Sequence, residues 1–132
     1  MIDIENQVYT LLRNALVSAY PDIFVTSEPT AVPAKPLAVS IVQMDNYASW
    51  GMQDNSGRER FAVAMFQVDV YSNKQSGKKS QCKEVMGVID SLLFEKNFSR
   101  MSLTPVPMEN TGYYRLTARY RAETDGENLY RI

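Results

Sequence analysis

Apolar residues recur with two different periods along this chain, and the switches between them outline its elements. Within residues 76–94, Cys82, Val85, Met86, Ile89, Leu92 and Leu93 follow spacings of 3, 1, 3, 3 and 1, the stripe of an amphipathic helix. Residues 3–19 carry a second stripe, with Ile4, Val8, Leu11, Leu12, Ala15, Leu16 and Ala19 on one face. Asp3 is the expected N-cap there, with Glu5 in the first turn. Tyr20-Pro21 ends that helix, because the residue before a proline is pushed out of helical geometry. Two long runs, Phe61 to Tyr71 and Tyr113 to Ala122, instead alternate with the period of two that belongs to strands.

The remaining segments fill in the order. Ile23 to Thr26 reads as a short extended piece. Residues 28–36 hold three of the six prolines, too many for a central ladder, and predict a surface crossing or an edge. Leu37 to Asp45 forms a strand, and residues 46–57 a turn-rich loop. The longest strand runs from Arg58 to Ser72, with Ala62, Ala64, Phe66, Val68 and Val70 on one face. Its other face is apolar at Phe61, Val63 and Met65 and polar by Gln67 and Asp69, which predicts a change of neighbours along the strand. Ser76 is the expected cap of the second helix. Phe98 to Met108 is an irregular strand broken by Pro105 and Pro107, and residues 109–112 carry a turn signal before the last strand, Tyr113 to Glu123.

The predicted fold is α+β: a mostly antiparallel β-sheet with two helices packed on one face, in the order α-β-β-β-α-β-β. Residues 1–123 are expected to form a single domain. Residues 124–132 are expected to be a C-terminal tail, polar except for Leu129, Tyr130 and Ile132.

Composition narrows function mainly by exclusion. At 132 residues the chain can bury about two-thirds of its unfolded surface without a metal or disulfide. A net charge of −1 gives no general attraction to phosphate backbones. The single cysteine, Cys82, falls on a helix stripe and is expected to act as a small hydrophobe. The first residues lack the basic start of a secretory signal, and no run approaches the roughly 18 apolar residues of a membrane span. These features suit a soluble intracellular domain.

There is no histidine, so the commonest general base and transition-metal ligand are both missing. Asp45, Asp54, Asp69 and Asp90 lie in separate elements with no spacing that demands a shared pocket. The glycines never gather into a phosphate-cradling loop. No catalytic, cofactor-binding or metal-binding residues are therefore assigned, and no enzyme is expected.

Residues suited to contact with other chains are easier to find. Lys74, Lys78, Lys79 and Lys83 crowd the start of the second helix, either as a solvated cluster or as a patch for phosphate or an acidic partner. Arg115, Arg119 and Arg121 share one face of the last strand. They suit either a wet sheet face or bidentate pairs with carboxylates, within one chain or between copies. Asp69, with Gln67 and Tyr71, is the expected partner. Tyr47, Trp50 and Met52 in the loop add aromatic and sulfur surface of the kind enriched in interfaces. Leu129 and Tyr130 in the tail point the same way.

The run FQVDVYSNKQSGKKSQCKEVMGVIDSLL, followed by FSRM and YYRLTARYRAET, resembles the tail terminator (tail completion) and neck proteins of tailed bacteriophages and prophage-encoded tail-like particles. The resemblance spans residues 4 to 123 and lies in pattern: an N-terminal helix, a proline-rich crossing, a strand ending in V-D-V-Y-S, an ID-x-LL helix and a closing strand rich in Tyr and Arg. It implies a non-enzymatic ring, usually a hexamer, that caps the tail tube, joins it to head–tail connector proteins and passes DNA only as cargo. It implies a place in the virion tail or neck, with assembly in the host bacterial cytoplasm. A head–tail connector or stopper of the same region is the nearest alternative. A small ligand-binding or regulatory α+β module is another, and would need a closed apolar pocket with convergent polar groups.

Overall fold

The computed structural model describes residues 1–29, 33–48, 61–108 and 111–132. Its elements are α1 (Glu5–Ala19), β1 (Phe24–Thr26), β2 (Leu37–Ala48), β3 (Ala62–Ser72), α2 (Lys78–Glu95), β4 (Ser99–Val106), β5 (Tyr114–Thr124) and β6 (Leu129–Tyr130). The six strands form one sheet in the order β1-β2-β3-β5-β4, with β6 paired to the end of β5. Every pairing is antiparallel except β1 with β2. Both helices pack on one face, as the two stripes require.

The alternation of β3 decides which face is which. Ala64, Phe66, Val68 and Val70 lie opposite Ala122, Tyr120, Ala118 and Leu116 of β5. All eight are buried in one cluster with Val8, Leu12 and Leu16 of α1 and Cys82, Val85, Ile89 and Leu93 of α2. Phe66 meets Phe98 edge-on, with ring centroids 5.9 Å apart. Cys82 is fully buried beneath the carbonyls of Val70 and Tyr114, and burial pushes its thiol up to about 12. It is a core residue.

Polar links fasten α2 to this face. The Tyr120 hydroxyl donates to Asp90 Oδ1 at 2.9 Å, and Arg100 of β4 reaches the same oxygen at 3.4 Å. Ser72 donates to Gln81 in the first turns of the helix.

Several expectations need correction. The N-cap of α1 is Ile4, although the Asp3 carboxylate still accepts the Glu5 N–H at 3.0 Å. The N-cap of α2 is Gly77, not Ser76, and its φ of 86° is a conformation that glycine adopts without a Cβ penalty. Ala19 is exposed, one turn beyond the last buried contact of α1. β2 continues past Asp45 to Ala48, because a bulge at Met44 shifts its register and keeps it paired with β3. Most of the expected 46–57 loop, and Arg58 to Arg60 of the expected third strand, lie outside the described residues.

β3 does not change neighbours. It pairs with β2 and β5 along its whole length. The shift from apolar to polar on its second face has another cause, found in what covers that face.

Candidate interaction surface

On the helix-free face, five successive ranks run across β2, β3 and β5. Tyr47, Val63 and Glu123 form the first; Asp45, Met65 and Arg121 the second; Val42, Gln67 and Arg119 the third. Ser40, Asp69 and Thr117 form the fourth, and Ala38, Tyr71 and Arg115 the fifth. The register thus gathers Tyr47, Asp69, Arg115, Arg119 and Arg121, five of the residues singled out by type alone, onto one surface. Tyr130 joins them, because it pairs with Glu123 and stacks its ring 5.9 Å from Phe61. Leu129 does not. It lies opposite Thr124 and packs against the helix-side core. Trp50 and Met52 lie outside the described residues.

The fourth and fifth ranks are buried by the chain's own proline-rich crossing. Ser40, Asp69 and Tyr71 are all under 5% exposed. The Ser40 hydroxyl donates to Glu28 O at 2.9 Å and the Tyr113 hydroxyl to Lys35 O at 3.1 Å, so residues flanking β1 and β2 are held over this end. Burial of a carboxylate demands partners. Asp69 has them: Arg115 Nε lies 3.0 Å away, Thr117 donates its hydroxyl, and Gln67 Nε2 donates at 3.1 Å. Arg115 also lies over the Tyr71 ring, 5.6 Å from its centroid. This is why the face grows polar along β3. The polar side chains form a closed network under a polar backbone segment.

The first three ranks carry a different surface. Met44 is 50% exposed and Tyr47 44% exposed. Arg119 is exposed and holds only Gln67 Oε1, at 3.3 Å. A concavity of about 210 Å³ opens between Met44, Asp45, Met65 and Arg119. A second bulge, in β4, leaves Met101 unpaired beside Arg119 and 47% exposed. Two methionine bulges flanking an arginine make an adaptable, apolar, cationic surface. Met44, Met65 and Met101 escaped the sequence reading, since alternation alone does not reveal a bulge.

The C-terminal segment is a small hairpin. Asp125 Oδ1 accepts the N–H groups of Asn128 (2.7 Å) and Glu127 (2.9 Å), and its Oδ2 accepts the Tyr130 hydroxyl at 3.1 Å. Those backbone bonds hold the Asp125 carboxyl down at about 2. Asp125-Gly126 is the kind of dipeptide that signals a tight turn, and it was legible in the sequence. Arg131 lies over Phe94 at 4.0 Å, and Asn97 donates to Leu129 O at 2.9 Å, so the hairpin is tied to the end of α2.

The lysines at the start of α2 make one described contact, Lys78 Nζ to Gly112 O at 3.3 Å. No group of three or more His, Cys, Asp or Glu side chains among the described residues could hold a metal ion. No helix among them is long and apolar enough to cross a membrane.

No family model matches the chain, and no curated protein matches its sequence. Solved structures do. A chain in the virion of a native gene transfer agent particle is 18% identical, with a TM-score of 0.71 over 93% of this chain and 95% of that one. A sheath/tube terminator of an extracellular contractile injection system, in its extended state, is 12% identical with a TM-score of 0.49, over 96% of this chain and 59% of that one. The second likeness is too loose to bear weight. The first shows that this chain shares the fold of a virion subunit across nearly the full length of both.

Proposed function

We propose that this chain is a tail terminator: a non-enzymatic subunit that assembles into a ring, a hexamer in the expected form, caps the tail tube and joins it to head–tail connector proteins. The observation that carries this reading is the fold shared end to end with a subunit of the gene transfer agent virion. The half-bare sheet face supports it. A surface with exposed methionine, tyrosine and arginine beside a rigid ion-pair network is suited to burial against another protein.

In this reading Tyr47, Arg119, Arg121 and Tyr130 meet a neighbouring subunit, with Trp50 and Met52 extending the same contact. Asp69 and Arg115 hold the face flat from within, and Leu129 seats the hairpin that carries Tyr130. DNA passes through the ring as cargo. The particle assembles in the bacterial cytoplasm.

The test is direct. The purified chain, mixed with tail tubes, should form discrete rings that close tube ends in electron micrographs. A chain that stays monomeric and leaves tubes open-ended overturns the proposal.

A further inference from the structure

On the helix side of the sheet, a groove of about 260 Å³ runs between the start of α1 and the C-terminal hairpin. Its floor is apolar, made by Ile4, Leu11, Phe98 and Leu129. Glu127 lies in its wall, and Glu5 and Asp3 flank Ile4 at its α1 end. Among the described residues none of these three carboxylates forms an ion pair, and neither Arg119 nor Arg121 does on the opposite face. The molecule therefore has two apolar surfaces of opposite charge, on opposite sides of one sheet.

We infer that these two surfaces bind each other between copies: the Met44, Met65 and Arg119 face of one subunit seats in the α1–hairpin groove of the next. The occupant of the groove is a second copy of this chain, because the charges are complementary across the contact and each apolar patch supplies what the other lacks. Surfaces on opposite sides of the sheet cannot both be used in a two-fold dimer that pairs a patch with itself. Their contact is head-to-tail, and head-to-tail contacts close into rings or run on as filaments. The inference rests on the ring reading above and adds which surfaces make the ring.

A charge exchange tests it. One variant carries Arg119→Glu and Arg121→Glu; the other carries Glu5→Lys and Glu127→Lys. Each alone should assemble about tenfold or more weakly than the parent chain, since like charges then face each other across the contact. An equimolar mixture should restore assemblies of parental mass, because every contact again pairs opposite charges. Analytical ultracentrifugation reads all three samples, and unchanged unfolding midpoints confirm the fold. Should a double variant lose the fold, Arg119→Glu and Glu127→Lys, both at exposed positions, replace the pairs.

Variants that assemble like the parent overturn the inference. So do variants that fall apart separately and are not rescued by mixing, which would leave the ring standing on other surfaces. A parent chain that never assembles, even on tail tubes, overturns the ring reading itself.

Discussion

On one side of the sheet β3 presents Ala64, Phe66, Val68 and Val70 to Cys82, Ile89 and Leu93, and all seven are buried. On the other side the same strand presents Met65, Gln67, Asp69 and Tyr71, and only the last two are buried. Helices cover the first face without polar compromise. A proline-rich crossing covers half of the second, and its carbonyl groups oblige the strand beneath to be polar and paired. The difference teaches that polarity on a sheet face does not equal exposure. Asp69 is among the most deeply buried side chains of that face, while Met44, on an apolar-looking stretch, is half in water.

Substitutions should separate the two faces by size of effect. On the helix side, Phe66→Ala removes a buried ring that packs edge-on against Phe98, and unfolding in urea should show a loss of about 3–5 kcal/mol. On the covered half of the other face, Asp69→Ala removes the partner of Arg115 and Thr117. Arg115 is 27% exposed and can rehydrate, so the expected loss is smaller, about 2 kcal/mol by the same measurement. A loss as large as that of Phe66→Ala would show that this network carries the fold as the core does.

On the bare half, Arg119→Glu should change stability by no more than about 0.5 kcal/mol while impairing assembly measured by sedimentation. Unfolding of the monomer would instead assign Arg119 to the protomer's own structure.

The smallest effect belongs to the hairpin. The Asp125 carboxyl lies below its ordinary value of 3.8, at about 2, because backbone N–H groups bind its charged form. Its contribution is therefore present above about pH 3.8 and fades as pH falls through about 2. Amide exchange at Leu129 and Tyr130 should quicken over that window ahead of exchange in α2. Asp125→Ala should quicken it already at neutral pH.

Much of this architecture was legible because it rests on periodicity. The stripe from Cys82 to Leu93 and the alternation of Tyr114 to Ala122 each name a buried face without reference to any other segment. What escaped depends on pairing between distant segments. The bulges at Met44 and Met101 are defined by register against β3 and β5, and the burial of Asp69 by residues 28–36 is a non-local event. The hairpin was missed for a different reason. Asp125-Gly126 is a local turn signal, but the strand it closes is only two residues long, too short to show a period. Of the candidate contact residues, side-chain type found the arginines and tyrosines, and register showed which of them share a surface.

Hydroxyl-radical footprinting of Met44, Tyr47 and Met65 tests the central claim most directly, since these side chains are reactive and sit on the bare half of the sheet. In assembled rings their oxidation should fall at least about tenfold relative to the dissociated chain, while that of Phe94, on the far end of α2, changes less. Equal oxidation of Met44 and Met65 in both states, with ring mass confirmed, would contradict the account.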